Sequence, residues 1–128
     1  ARLPAEPALG GGFDHNFVCR AHTQDYSETG LRHNATLKDP LSGRCLRVYS
    51  NQPGVQLYSA NWLDGSLVGK DEIAYSQFSA VCLETQHFPD SVHHDHFPSV
   101  WLQPGVRYCH RMRHVFSTDV AEAVASKL

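Results

Sequence analysis

The sequence predicts an all-β protein, an antiparallel β-sandwich with one short terminal helix. Three observations predict this class. Short runs of alternating apolar and polar residues recur along the chain, turns rich in Pro, Gly and Ser separate them, and no long helical pattern lies between them. A parallel sheet would need such helices as crossovers, so the strands are expected to pair antiparallel. At 128 residues the chain suits a single domain, 1–128.

The first half of the chain carries the clearest strand patterns. Residues 1–12 include two prolines and three consecutive glycines and predict a linker or a frayed start, while 21–33 predicts a polar loop. Residues 44–50 alternate in hydrophobicity, and the turn at 40–43 indicates a hairpin with 34–39. Two more strands are predicted here, at 13–20 and 55–60.

The second half alternates apolar runs with irregular segments. The charged stretch 64–73 predicts an exposed loop, and 87–98 should be irregular because it holds two prolines and four histidines. Residues 119–128 predict a helix, because valine and leucine recur every four residues behind a capping aspartate. Three further strands bring the predicted total to seven: 78–85, 100–103 and 107–117.

Composition excludes two classes of partner. Eleven Lys and Arg against thirteen Asp and Glu give a net charge of −2 without a basic stripe, which argues against nucleic acid. No apolar run approaches the roughly 18 residues of a membrane-spanning helix.

The chain begins without an initiator Met, so a processed protein or a fragment is expected. The chain has four widely spaced cysteines: Cys19, Cys45, Cys82 and Cys109. We expect them to be reduced thiols in or near a core, which indicates a cytoplasmic protein.

Histidine is abundant, with nine residues in the chain. A histidine-rich loop gathers His87, His93, His94, Asp95 and His96. Imidazole and carboxylate groups ligate zinc, but this spacing matches no metal motif, so a solvated loop is favoured over a metal or other ligand site. Two later histidines, four residues apart on the last predicted strand, are expected at the edge of the core: His110 and His114.

Two acidic residues at strand ends are candidate site residues. Asp14 precedes His15-Asn16-Phe17, and Glu84 ends the apolar run that begins at Phe78. A carboxylate that directly follows a buried apolar run is partly desolvated, which suits it to act as a general base. From the residues alone, a solvated strand-end carboxylate remains the alternative.

Several of these segments together resemble the aldose 1-epimerase family, the galactose mutarotases. The motifs occur in the family's order: GFDHNF at 12–17, SGR at 42–44, QPGVQLY at 52–58, CLETQHFPD at 82–90 and FPS at 97–99. The resemblance runs from about residue 11 to 116 and implies the large mutarotase-like supersandwich, of which this chain resembles only the C-terminal part. Residues 118–128 lie beyond it and are expected to form a divergent tail.

The resemblance implies an isomerase of carbohydrate metabolism. The family interconverts α and β anomers of aldohexoses such as galactose and glucose by acid/base ring opening, without a cofactor or metal. By this resemblance Glu84 corresponds to the catalytic base, Asp14 to an aspartate that binds sugar hydroxyls, and Gln56 to a further substrate contact.

The resemblance also implies an incomplete site. The family's general-acid histidine lies in an N-terminal part with no counterpart here, so a fragment of reduced activity is expected, and uncovered sheet surfaces predict self-association. Two alternatives stay open. One is a non-catalytic carbohydrate-binding domain, and the other is a metal-binding or interaction domain built on the histidine-rich loop.

Overall fold

The computed structural model describes residues 11–20 and 30–118. Across these residues the chain forms six strands and two short 3-10 turns, at Lys70–Glu72 and Ser91–His93. The strands form two antiparallel three-stranded sheets, in the orders β1-β4-β5 and β2-β3-β6. The expected all-β class is confirmed. The strands are β1 Asp14–Val18, β2 Arg32–Lys38, β3 Arg44–Ser50, β4 Gly54–Tyr58, β5 Cys82–Gln86 and β6 Met112–Thr118.

The predicted β2–β3 hairpin forms, with β2 at Arg32–Lys38 instead of 34–39, so the strand begins two residues inside the predicted loop. The backbone N–H groups of Leu41 and Ser42 donate to the Asp39 carboxylate over 3.1 and 3.2 Å, and the Gly43 N–H donates to the Asp39 carbonyl over 2.9 Å. Gly43 has a φ of 70°, a left-handed conformation that glycine adopts without steric cost. The turn chemistry therefore sets the hairpin's register, in which Lys38 pairs with Cys45.

The two sheets meet over a small core. Val48 and Ser50 of β3 are fully buried, and Val55 of β4 is 5% exposed. The buried Thr85 hydroxyl of β5 hydrogen-bonds to His110 Nε2 at 2.9 Å and lies 3.4 Å from the sulfur of Met112, at the start of β6. Thr85 thus connects the β1-β4-β5 sheet to the start of β6, the edge strand of the β2-β3-β6 sheet.

The strand predicted at 78–85 begins only at Cys82. Phe78 has a φ of 61°, and its N–H donates to the Ala60 carbonyl over 3.2 Å. The Ser79 N–H then closes a turn onto the Ser76 carbonyl over 3.1 Å. An extended strand cannot pass through a left-handed residue, so the apolar character of 78–81 misled the prediction.

The last two predicted strands are also shortened. Residues 100–103 form no strand, because no described strand pairs with them. The turn that follows them does form, closed by a hydrogen bond from the Val106 N–H to the Gln103 carbonyl. The strand predicted at 107–117 begins at Met112, opposite Ser50, where its partner β3 ends. The described part of the chain therefore has six strands, not seven.

Other predictions have mixed outcomes. The described stretches 64–73 and 87–98 form no strand, as expected, although each contains one short 3-10 turn. The described cysteines are free, as expected, and Cys45 is buried. Cys82, on an open sheet face, and Cys109, before the start of β6, are exposed. The predicted helix, most of the linker and most of the polar loop lie outside the described residues.

Candidate functional site

The three predicted site residues lie on one face of the β1-β4-β5 sheet. Gln56, on the central strand β4, pairs with Asn16 on one side and with Glu84 on the other. Asp14 lies two residues before Asn16, and alternate residues of a strand point to the same face. We call this surface, carrying Asp14, Asn16, Gln56 and Glu84, the site face. Asp14 and Glu84, about 70 residues apart in sequence, thus contribute to one surface.

Gln56 orients the Asp14 carboxylate. Its Nε2 donates to Asp14 Oδ1 over 2.8 Å, across the β1–β4 pair. Among the described residues, no donor reaches Asp14 Oδ2. The carboxylate is half-buried, and its second oxygen can accept a hydroxyl hydrogen bond from a ligand.

A buried polar cluster fixes the backbone in front of Asp14. The Phe13 N–H donates to Ser59 Oγ over 2.8 Å, and Asn61 Nδ2 donates to the Phe13 carbonyl over 2.9 Å. The Ser59 hydroxyl in turn donates to Asn61 Oδ1 over 2.6 Å. A Cβ at Gly12 would overlap the Ser59 and Asn61 side chains, which explains the glycine there. Sequence analysis missed this role of Ser59 and Asn61, because nothing in their local pattern reveals the segment they contact.

Glu84 is exposed, in contrast to the expected partly desolvated carboxylate. Residues 78–81, expected to be a buried apolar run, are exposed and lie outside the strand, so they do not cover it. Its backbone is nevertheless held, because β5 pairs with β4 from Cys82 to Gln86. Glu84 is thus a carboxylate on a regular strand, open to a ligand on the site face.

Asn16 is a member of the site face that the sequence analysis did not select. Its side chain lies over Gly54, where an added Cβ would come within 2.8 Å of Asn16 Oδ1 and 3.1 Å of the Phe88 ring. Asn16 Nδ2 and Gln56 Oε1 are both buried, and neither has a hydrogen-bond partner among residues 11–20 and 30–118. The period-2 spacing from Asp14 could have revealed Asn16, because two residues share a strand face at that spacing.

The histidine-rich loop continues directly from β5. Phe88 packs edge-on against Phe97 with ring centroids 5.2 Å apart, and the His94 and His96 rings lie 4.8 and 4.5 Å from Phe97. Asp90 contacts His93 Nδ1 and, at 3.4 Å, His94 Nε2.

No trio of His, Cys, Asp or Glu residues in 11–20 and 30–118 is arranged to hold a metal ion. Both later histidines are exposed: His110 precedes β6 and bonds to Thr85, and His114 lies on β6.

The site face lines neither of two cavities found in the described part of the chain. A cavity of about 560 Å³ lies at the hairpin end of the other sheet, lined by Leu37, Leu46 and Phe116 among others. A second, of about 540 Å³, lies beside the end of β5 and includes His87, Trp101 and Tyr108. Neither cavity contains Asp14, Gln56 or Glu84, so the candidate site is a sheet surface on which polar side chains converge. No described helix is long and apolar enough to span a membrane.

The fold and the site face together define an all-β protein with two carboxylates and two amides on one sheet surface. The aldose 1-epimerase family profile matches residues 2–114, so the chain belongs to this family. It is 45% identical over 106 residues to galactose mutarotase of Mus musculus and 44% identical over 106 residues to that of Homo sapiens, in each case over 83% of this chain and 29% of the relative. It is 30% identical over 99 residues to aldose 1-epimerase of Escherichia coli strain K12, over 76% of this chain and 27% of the relative. The chain thus spans less than a third of the length of these relatives.

Proposed function

We propose that this chain supplies part of the active site of an aldose 1-epimerase that interconverts the α and β anomers of aldohexoses such as galactose and glucose. One observation carries the proposal. Asp14, Gln56 and Glu84, which the sequence resemblance assigns to the sugar site, share one sheet face, and Gln56 bonds to Asp14. Family membership supports the same reaction class.

The site face suits the first step of anomer exchange. Glu84 removes the proton from the anomeric hydroxyl, while Asp14, oriented by Gln56, accepts hydrogen bonds from other hydroxyls of the ring. An acid protonates the ring oxygen as the C1–O5 bond breaks. Rotation about C1–C2 and closure on the opposite face give the other anomer, and both protons return. No cofactor takes part, because the reaction transfers only protons.

The acid is the missing component of the described site. Among the described residues the side chains of β1, β4 and β5 on the site face include no histidine, since His15 points to the opposite face. A positioned acid or base typically contributes about 10²–10⁴-fold to the rate. We therefore expect this chain alone to be slower than a full-length relative by a factor in that range.

Polarimetry of freshly dissolved α-D-galactose tests the proposal. The chain should accelerate the decay of optical rotation, Glu84→Gln should abolish the acceleration, and Glu72→Gln should preserve it. Glu72 is a matched control because it is an exposed glutamate on a 3-10 turn outside the site face. Acceleration that survives Glu84→Gln would contradict a working base at Glu84. No acceleration from a chain shown to be folded by circular dichroism would contradict catalysis by this chain alone.

A non-catalytic carbohydrate-binding domain is the second candidate. The exposure of Glu84 and the lack of a histidine on the described site face favour it. Galactose binding that persists in Glu84→Gln, without any mutarotation by the unmutated chain, would favour this second function, and mutarotation that Glu84→Gln abolishes would exclude it.

We further propose that residues 1–128 form one domain, the C-terminal part of a mutarotase-like sandwich. We place it in a cytoplasmic protein, and we propose that the chain self-associates through an uncovered sheet surface. Leu37, Leu46 and Phe116 are in register across β2, β3 and β6, and Phe116 is 76% exposed. An apolar row of this kind on a sheet with open edges favours association. Light scattering coupled to size-exclusion chromatography measures it.

A further inference from the structure

Two buried polar atoms on the site face lack hydrogen-bond partners within the described part of the chain. Asn16 Nδ2 is a donor and Gln56 Oε1 is an acceptor, and their residues are directly paired across β1 and β4. Buried polar groups are almost always hydrogen-bonded, so an unmatched donor opposite an unmatched acceptor calls for an explanation.

The Gln56 amide has a defined orientation. Its Nε2 donates to Asp14 Oδ1, and the reversed amide would place Oε1 against the carboxylate, where two acceptors repel. Oε1 must therefore find its donor elsewhere. Of the residues paired with Gln56, Glu84 offers an acceptor when ionised, which leaves Asn16 as the neighbour with an N–H to give.

We propose that Asn16 is a positioning residue of the sugar site: its Nδ2 donates to Gln56 Oε1 and thereby holds the amide that orients Asp14. Directly opposed residues of an antiparallel pair have Cβ atoms about 4.5–5.5 Å apart, so side-chain rotation alone can close this contact. The relay runs from Asn16 through Gln56 to Asp14, and it leaves Asp14 Oδ2 for a ligand hydroxyl. The role of the relay in sugar binding rests on the proposed function, whereas the hydrogen bond itself does not.

The hydrogen bond can be tested without a ligand. We would measure the exchange of the Asn16 Nδ2 protons with water by NMR, in the unmutated chain and in Gln56→Leu, which removes the acceptor while keeping an apolar side chain of similar length. Faster exchange in Gln56→Leu is the expected result. Equal exchange in the two proteins would overturn the proposal.

The positioning role is tested by galactose affinity in Asn16→Ala and Asn16→Asp. Aspartate keeps the shape of asparagine, so a packing role predicts the smaller loss for Asn16→Asp. The relay predicts the opposite order, because a carboxylate attracts Gln56 Nε2 away from Asp14, and we expect a loss of about tenfold or more. Gln103→Glu, which adds the same charge at an exposed position outside the site face, should bind as the unmutated chain does.

The two arms separate the possible failures. A smaller loss in Asn16→Asp than in Asn16→Ala would overturn the positioning role. If the unmutated chain binds no galactose while the exchange difference is present, the proposed function fails and the Asn16–Gln56 hydrogen bond stands.

Discussion

Replacing Asn61 by alanine should destabilise the chain through the polar cluster in front of Asp14. The change removes one donor to the Phe13 carbonyl and the nearest acceptor of the Ser59 hydroxyl, bonds of 2.9 and 2.6 Å. Asn61 and Ser59 are only 3% and 4% exposed, so water cannot replace these bonds freely. The Phe13 carbonyl keeps the Ser59 N–H at 3.0 Å, so the two lost hydrogen bonds correspond to about 1–3 kcal/mol of unfolding free energy.

Urea unfolding followed by circular dichroism measures this loss, and Asn61→Asp is the matched variant. Aspartate keeps the shape and still accepts from Ser59, but when ionised it cannot donate to the Phe13 carbonyl. We therefore expect Asn61→Asp to be destabilised as well, by at least about 1 kcal/mol. A loss below about 0.5 kcal/mol in Asn61→Ala, the range of ordinary surface substitutions, would refute the reasoning.

Three further predictions concern other parts of the fold. Gly54→Ala should cost about 1–3 kcal/mol in urea unfolding, because the new Cβ would come within 2.8 Å of Asn16 Oδ1; an unchanged midpoint would contradict this contact. Hydrogen bonds from Ser42 and Leu41 lower the pKa of Asp39 below its ordinary value of 3.8. The ionised Asp39 therefore stabilises the fold fully above pH 3.8, and this stabilisation is lost as the pH falls through the lower pKa of the folded state. An NMR titration should show the lowered pKa of Asp39, and Asp39→Asn should lack the loss of stability at low pH. An Asp39 carboxyl that titrates at 3.8 or higher would be inconsistent with the hydrogen bonds of the hairpin turn. Phe116→Lys should shift a self-associated chain towards monomer in light scattering, because it places a charge in the exposed apolar row; an unchanged mass would locate the association elsewhere.

The local parts of the fold could be predicted from the sequence. The β2–β3 hairpin follows from turn residues that act within a few positions, and β3 has the predicted bounds, Arg44–Ser50. The strand patterns near β1 and β4 are likewise local, and both strands form within the predicted segments apart from one residue at the start of β4.

The errors arise where long-range contacts decide the structure. The apolar run at 78–81 has strand composition, but the Phe78 N–H bonds to the distant Ala60 carbonyl and turns the chain. Residues 107–111 have strand composition too, yet β3 ends at Ser50 and Asn51 instead bonds to the Cys109 carbonyl and the Arg111 N–H. No local pattern contains this information.

The candidate site shows the same division. Resemblance to a family supplied Asp14, Gln56 and Glu84, and the sheet register brings them to one face. The exposure of Glu84 could not be predicted, because it depends on which segments cover β5. Ser59 and Asn61 support the site through contacts with Phe13 that a one-dimensional pattern does not reveal.

The central claim is that an aldose binds the site face, and an NMR titration of the isotope-labelled chain with D-galactose tests it most directly. The account predicts that the largest saturable shifts occur at Asp14, Asn16, Gln56 and Glu84, and that Asp14→Asn weakens them strongly. Saturable shifts confined to the cavity beside Trp101 and Tyr108, or none anywhere in the folded chain, would contradict it.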